Sequence, residues 1–245
     1  MAFNHTQEIY NTKSAEIVVP ILLELFQPKS VLDVGCGIGT WLAVFEQHGI
    51  EDYLGVDGNY VDRDVLNTYI KKTSFYPYDL RNELMLNRKY DLVISLEVAE
   101  HIEEMYANDF LKTLINHSDI IVFSAAIPKQ GGENHLNEQW MSYWIEKFSA
   151  HNYFAHDIIR PQIWNNKKVD FWYKQNMIVF KKGERNNSKI LDIVHPVHFL
   201  LKDAFLNNEI KLLREGALGF RFYLKLCLVS LRIKMRKYFN VLKSN

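Results

Sequence analysis

The stretch Val31-Leu32-Asp33-Val34-Gly35-Cys36-Gly37-Ile38-Gly39-Thr40 sets three glycines at alternate positions, behind a short apolar run and ahead of a helix-like segment. A chain that leaves a strand and turns at once into a helix needs glycine, which accepts positive φ and has no Cβ to hold a ligand away. The helix start offers N–H groups with no partner inside the helix, and these suit an anionic or polar part of a ligand. A dinucleotide loop reads GxGxxG. Here Thr40 stands where the last glycine would be, and an acid, Asp33, lies two residues ahead of Gly35. A carboxylate beside the loop repels phosphate and attracts a cation.

Two more acids follow in order. Asp57-Gly58 closes the next apolar segment, and Asp79-Leu80 follows a third. A carboxylate at the end of the second strand can accept from both hydroxyls of a ribose. One after the third strand can accept from an adenine amino group, with Leu80 against the ring. A ligand that joins an adenosine to positive centres fits all three acids. S-adenosylmethionine, with its ammonium and sulfonium, is such a ligand, and Asp33 would steady the loop and face the ammonium.

Transfer of its methyl to a hydroxyl requires an aligned nucleophile and a base. His101 follows Glu100 near the end of a fourth apolar run and is expected at a helix start. Hydrogen bonding to the backbone would equally explain it. His135 lies in KQGGENHLNEQW (residues 129–140), after a fifth apolar run. Two glycines, a histidine, amides, acids and Trp140 are dense there, a mixture suited to a polyhydroxylated acceptor, with the indole stacking on a sugar face. His135 is the preferred base and His101 the second; the bland reading of the segment is a loop in which Asn137 caps a helix from Glu138. Glu97 and Glu100 could orient a histidine or bind acceptor hydroxyls. Tyr143 could line the acceptor pocket, whereas Trp144 reads as core and Cys36 as merely small. Trp164, Asp170 and Trp172 read as surface loop or as an acceptor lid.

The elements that must position these residues alternate between strand-like and helix-like. A helix over 14–26, carrying Ile17, Ile21 and Leu25 on one face and Ser14 as cap, is kinked or shortened by Pro20 and ended by Pro28. Strands are predicted at 31–34, 52–56, 69–76, 91–96, 119–124, 153–159 and 176–181. Helices are predicted at 40–48, 64–67, 102–115 and 138–148. Strands separated by helices argue for a parallel sheet covered on both faces, with the strand-end loops gathered on one edge. A polar stretch at 181–189 reads as a linker, dividing a domain at 1–182 from an extension at 183–245.

The chain has 245 residues, 48% of them hydrophobic and 13% aromatic, ample for a core. Lys+Arg and Asp+Glu each number 29, so an electrostatic grip on nucleic acid by the whole chain is not expected. The two cysteines, Cys36 and Cys227, form no CxxC pattern. The polar start is unlike a secretory signal, and no uncharged apolar run is of spanning length. The expected compartment is the cytoplasm. From Leu218 onward there are seven Lys/Arg and no acid, with Leu224, Leu228, Leu231, Met235 and Leu242 at helical spacing. That describes a basic amphipathic helix, which could pack on protein, lie on an anionic inner membrane surface or attract a polyanionic acceptor.

The joint pattern resembles the class I S-adenosylmethionine-dependent methyltransferases over roughly residues 14–182. VLDVGCGIGTWL, YLGVDG, YPYDL and the block Tyr90–His101 (YDLVISLEVAEH) carry the likeness. The resemblance implies a doubly wound, seven-stranded, mostly parallel Rossmann-like α/β sheet whose last strand is antiparallel, with a C-terminal helical extension. It implies cofactor contacts from Asp33, Gly35, Gly37, Gly39, Asp57, Gly58, Asp79, Leu80, Leu96 and Glu97, with S-adenosylhomocysteine as product. It sets the Glu100-His101 pair at the edge of the cofactor pocket. The prolines of base-amine methyltransferases are missing after the fourth strand, and so is the clustered Asp/Asn set of the catechol type. Metal-independent chemistry is therefore expected, although His135 and Asp157 could contribute metal ligands. GGENHLNEQWMSYW is further similar to small bacterial methyltransferases of surface-polysaccharide assembly. That implies O-methylation of a sugar or sugar-nucleotide acceptor. A small nitrogen, carboxylate or phosphate-type acceptor, or a non-catalytic methyltransferase-like binding subunit, remains open, as does the oligomeric state. A nicotinamide-type dehydrogenase is disfavoured by Thr40.

Overall fold

The computed structural model describes residues 11–185 and 190–243, with side chains through 235. In chain order it runs α1 (Lys13–Phe26), β1 (Ser30–Val34), α2 (Thr40–Gln47), β2 (Asp52–Asp57), α3 (Arg63–Tyr69), β3 (Phe75–Pro77), β4 (Leu92–Leu96), α4 (Ala107–His117), β5 (Ile120–Ser124), α5 (Met141–Ser149), β6 (Tyr153–His156), α6 (Arg160–Ile163), α7 (Phe171–Asn176), β7 (Ile178–Lys182), α8 (Pro196–Arg214) and α9 (Phe220–Lys243). The strands form one seven-stranded sheet in the order β3-β2-β1-β4-β5-β7-β6. β7 runs antiparallel to both of its neighbours, and the other pairings are parallel. The strand order reverses between β1 and β4. A crevice opens at such a point beyond the carboxyl ends of the strands.

Alternate residues of each central strand enter different cores, as the period of two requires. Val31, Ile94, Val122 and Val179 pack on one face with Val18, Leu22, Leu42 and Phe45 of α1 and α2. Leu32, Val93, Phe123 and Phe180 pack on the other with Phe110 and Leu114 of α4 and Trp144 and Phe148 of α5. Burial on both faces explains why these strands read as unbroken apolar runs. The second core is aromatic: Phe148 stacks on Phe180 at 3.9 Å, and Phe123 meets Trp144 at 5.1 Å.

Several boundaries differ from the sequence reading, each for a local reason. α1 runs straight through Pro20. The carbonyl left without a donor is that of Glu16, which is exposed and open to water. Its buried face is Ala15, Val18, Val19 and Leu22 rather than the Ile17–Leu25 stripe, and Leu25 is exposed. Ser14 is not a cap: it lies inside the helix and donates to Asp170 at 2.7 Å. Gln27, in the left-handed region, ends the helix before Pro28. Only Phe75–Pro77 of the 69–76 segment pairs with β2, since Lys72–Ser74 makes a tight 3-10 turn first. Two further 3-10 turns, Ala99–His101 and Glu104–Tyr106, delay α4 to Ala107, so His101 does not sit on a helix. The strand predicted to reach 159 stops at His156, and α5 starts at Met141 rather than at 138.

The described chain divides into two units, the first ending at His195 and the second beginning at Pro196. His195 is held to the first by its N–H, which donates to Gln175 Oε1 at 2.9 Å. In the second, α8 and α9 are joined at Gly216 and by Tyr223, whose hydroxyl donates to the Leu212 carbonyl at 3.0 Å. Residues 220–235 carry exposed apolar side chains between Arg221, Lys225, Arg232 and Lys234. Arg236, Lys237, Leu242 and Lys243 of the basic stripe lie outside the described side chains. Among the described residues no helix is long and apolar enough to cross a membrane.

Removing the ring of Phe148 opens a cavity between Trp144, Phe123 and Phe180. Phe148→Ala is expected to cost about 3–5 kcal/mol, read from urea melts of the full chain.

Candidate functional site

The glycine loop joins β1 to α2 at the reversal point. Gly35, Gly37 and Gly39 all take positive φ, at 88°, 52° and 83°. At Gly35 the need is steric as well, since a Cβ there would lie 2.3 Å from Val98 Cγ2. That contact lays the turn after β4, which carries Glu97 to His101, directly against the loop. Gly35 and Cys36 both donate to the Val56 carbonyl, at 2.8 and 3.2 Å. Cys36 is a buried filler whose sulfur occupies the space a Cβ on Gly55 would need.

Asp57, only 4% exposed at the end of β2, fastens the loop from the other side. Its Oδ2 accepts from Gly37 N at 2.7 Å, and its Oδ1 from Gly58 N at 2.6 Å and from the Tyr60 hydroxyl. Asp33 is buried on β1, and burial, reinforced by the nearby Asp57 charge, pushes its carboxyl well above the usual range. Asp79 follows β3, tethered two residues from the Asp57–Pro77 pairing. It is exposed and chelated by Arg81, with Nε to Oδ1 at 3.0 Å and Nη2 to Oδ2 at 2.7 Å. That hydrogen-bonded pairing holds its carboxyl below the usual range. Leu80 turns into the aromatic core beside Leu84 and Tyr90.

Leu96 closes β4, and Glu97 follows with φ of 56°, its N–H donating to the Ser124 carbonyl at 3.0 Å. The Glu97 carboxylate accepts from Gln130 Nε2 at 2.9 Å and from Asn176 Nδ2 at 3.1 Å. Gln130 Oε1 in turn accepts from Gln175 Nε2 and Asn176 Nδ2, both at 3.0 Å. Burial still outweighs these bonds and raises the Glu97 carboxyl. Gln130, Gln175 and Asn176 were missed in the sequence. Asn176 reads there as the first residue of a strand, and its partner Glu97 is far away along the chain.

The two histidines come together. Their rings lie 5.0 Å apart, edge to face, and the Glu100 carboxylate joins them: one donor atom from each of Glu100, His101 and His135 falls within 4.8 Å of the others. His101 Nδ1 faces the Asn134 carbonyl at 3.3 Å, and burial depresses its imidazole to about 4. His135 Nδ1 meets Glu138 Oε1 at 2.8 Å. Its ring fills the space a Cβ on Gly132 would take. Glu138 also accepts from the Gly131 and Lys129 N–H groups, at 3.0 and 2.5 Å. Burial pushes its carboxyl up, but the bonds from His135 and these amides bring it below its ordinary value. Glu100 is 1% exposed, and its carbonyl accepts from Leu136 N and Asn137 N at 2.7 and 2.9 Å. Asn137 is therefore a buried loop residue whose Oδ1 accepts from Gln139, not a helix cap; Trp140 occupies the cap position of α5. Trp140 is half exposed and Trp144 buried. Asp170 is engaged by Ser14, and the Asp157 carboxylate accepts two hydrogen bonds from Arg160, at 2.8 and 2.6 Å, and does not join His135, whose near neighbours are Glu100 and His101.

These residues fit an adenosyl ligand on two observations. The Tyr60 hydroxyl on Asp57 Oδ1 displays the O–H donor that a ribose would bring, and the loop beside Asp57 turns on three glycines at positive φ. The methyltransferase domain family matches residues 6–160, more than half of the chain. A curated relative, the ubiquinone biosynthesis O-methyltransferase of Rickettsia felis, is 31% identical over 90 residues. That match spans 36% of this chain and only 36% of the relative. Among solved structures, the sugar N-methyltransferase KedS8 from Streptoalloteichus superposes with a TM-score of 0.57 at 14% identity, over 75% of this chain and 95% of that one. The magnesium protoporphyrin IX methyltransferase of Synechocystis with bound S-adenosylmethionine gives 0.50 at 16% identity, over 69% and 79%. The chain belongs to the methyltransferase domain family, and S-adenosylmethionine is the cofactor of its Rossmann-like domain.

Asp33 carries a testable conflict between stability and binding. With its carboxyl raised, the folded state keeps a proton that the unfolded chain has already lost, so its contribution to stability falls as pH rises from the ordinary value of about 4. Asp33→Asn should resist urea better than the parent at pH 7, with the gap closing as pH falls toward about 4. On the expectation from the sequence that Asp33 lies beside the cofactor's cationic end and gives up its proton as the cation arrives, the same variant should bind S-adenosylmethionine roughly 10-fold more weakly by calorimetry.

Proposed function

We propose that this methyltransferase domain moves a methyl group from S-adenosylmethionine to a hydroxyl of a carbohydrate-type acceptor, a nucleotide-linked or glycan sugar. The observation that carries the reading is the pairing of His101 with His135 beside a buried carboxylate. His101 sits on the turn that packs against the glycine loop through Val98, and the loop ahead of α5 brings His135 against it. The curated relative is named an O-methyltransferase, in keeping with an oxygen acceptor.

When bound, the cofactor supplies an electrophilic methyl on a sulfonium. The chain supplies the rest. Asp57 accepts from the ribose hydroxyls, taking them in place of Tyr60. Gly35, Gly37, Gly39 and Gly58 keep the backbone close to the nucleoside, and Asp33 faces its cationic end. Asp79 and Leu80 serve the adenine, with Arg81 yielding part of the Asp79 carboxylate. Leu96 and Glu97 close the floor at the end of β4. The acceptor hydroxyl loses its proton at the histidine pair. His135 leads, because Glu138 takes its Nδ1–H and leaves a lone pair on Nε2. His101 is second.

His135→Ala should hold cofactor affinity near the parent value while lowering turnover by roughly 10²-fold or more. A mass-spectrometric search for the gain of one methyl across nucleotide sugars and glycans identifies the acceptor. Methyl gain only on amine or carboxylate compounds would overturn the hydroxyl reading.

A further inference from the structure

We infer that Glu100, His101 and His135 form a binding site for a divalent transition-metal ion, whose open coordination position receives the acceptor hydroxyl. Three observations carry it. The first is proximity: the donor atoms of the three side chains lie within 4.8 Å of one another. Ligands bonded to one cation at about 2.0–2.2 Å stand somewhat closer than that, a gap that small side-chain rotations close.

The second is an unsatisfied oxygen. Glu100 Oε2 is buried with no hydrogen-bond partner, while the residue itself is 1% exposed. A buried acceptor without a partner calls for an explanation, and a cation between this carboxylate and the two imidazoles supplies one.

The third is the way the rings are held. Metal-bound histidines hand their other ring N–H to a carboxylate or a carbonyl, which fixes tautomer and orientation. His135 gives Nδ1 to the Glu138 carboxylate at 2.8 Å, and His101 gives Nδ1 to the Asn134 carbonyl at 3.3 Å. An imidazole that donates from Nδ1 presents its lone pair at Nε2, and on His135 that edge lies beside Gly132, which has no side chain to block it. Glu138 is itself fixed by two backbone amides, and Gly132 leaves room for the His135 ring.

The donor set chooses the metal class. Two imidazoles and one carboxylate favour Mn²⁺, Fe²⁺, Co²⁺ or Zn²⁺ over Mg²⁺ or Ca²⁺, which prefer all-oxygen shells. Three protein ligands leave a position open to a further oxygen. A hydroxyl bound there becomes more acidic and releases its proton to solvent water, the ion stabilising the alkoxide. With the ion bound, His135 is a ligand and not the base: this step takes the place of the histidine-base step proposed above and of the metal-free chemistry expected from the sequence, while the hydroxyl acceptor is kept. The inference rests on the hydroxyl-acceptor reading for its role, but the binding site stands on geometry alone.

The full chain, stripped with chelator and dialysed, is titrated with Mn²⁺, Co²⁺ and Zn²⁺, followed by calorimetry, elemental analysis and the visible spectrum of the Co²⁺ form. The expected result is about one equivalent bound, with a Co²⁺ spectrum of nitrogen ligation and a raised Tm. Glu100→Gln, His101→Gln and His135→Gln should each weaken binding by about 10–100-fold or more, a loss at least as great as for an outer-shell partner. His151→Gln, on an exposed histidine elsewhere, should bind as the parent does. Circular dichroism and S-adenosylmethionine affinity report whether each variant is folded. Less than about a tenth of an equivalent bound by the parent, or equal binding in the ligand variants, overturns the site. The two readings fail separately. A wrong acceptor class leaves metal binding intact but gives no methylated hydroxyl product, whereas a wrong metal site leaves hydroxyl methylation resistant to chelator.

Discussion

The bond from Gly37 N–H to Asp57 Oδ2 is the tie on which the site depends. It connects a loop that could otherwise take many conformations to the end of a buried strand. The carboxylate it uses is buried at the carboxyl end of β2, beside the point where the strand order reverses. Glycine gives the loop freedom, and that freedom costs entropy on folding unless something fixes the result. Asp57 fixes it on one side through Gly37 and Gly58, and the Val56 carbonyl fixes it on the other through Gly35 and Cys36. Val98 then locks the post-β4 turn onto Gly35, so cofactor loop and histidine turn are positioned as one piece.

The price of this arrangement is a concentration of buried acid. Asp33, Glu97 and Glu100 are all pushed up by burial, and the first and last are raised further by a neighbouring carboxylate. Desolvated like charges are unfavourable in a fold with no other role for them. Groups arranged this way are what a ligand with a cationic centre, or a cation, would relieve. The loop at 125–140 shows the same economy. It has little regular structure, yet the Glu100 carbonyl holds it at Leu136 and Asn137, and the Glu138 carboxylate holds it at Lys129 and Gly131. The histidine at its centre is therefore held by side-chain and backbone bonds rather than by a helix.

Much of this was legible in the residues. The central strands appear as apolar runs because both faces of the sheet are covered; the three glycines share the loop after β1, and Asp33, Asp57 and Asp79 fall at or near the ends of β1, β2 and β3 because the topology repeats. The segments that misled were those whose conformation is set by distant partners. The start of α4 slides to Ala107 because 99–101 and 104–106 are taken up by tight turns around the site. α5 starts late because Asn137 is bound to Glu100 instead of capping it. Gln130, Gln175 and Asn176 show no spacing signal, since Glu97 lies 33 residues from Gln130 and 79 from Asn176, and Gln175 joins through those two amides. Trp144 read correctly as core because a large apolar ring on a helix face has few other uses. Ile17 and Leu25 read wrongly because Pro20 drew attention to a kink that the exposed Glu16 carbonyl makes unnecessary.

The most direct test of the account is a crystal structure of the full chain with S-adenosylhomocysteine. The account predicts both ribose hydroxyls on Asp57, the Tyr60 hydroxyl displaced from Oδ1, and the sulfur opening toward His101 and His135. A nucleoside bound elsewhere, or one lying in the crevice without touching Asp57 while Tyr60 stays in place, would contradict it.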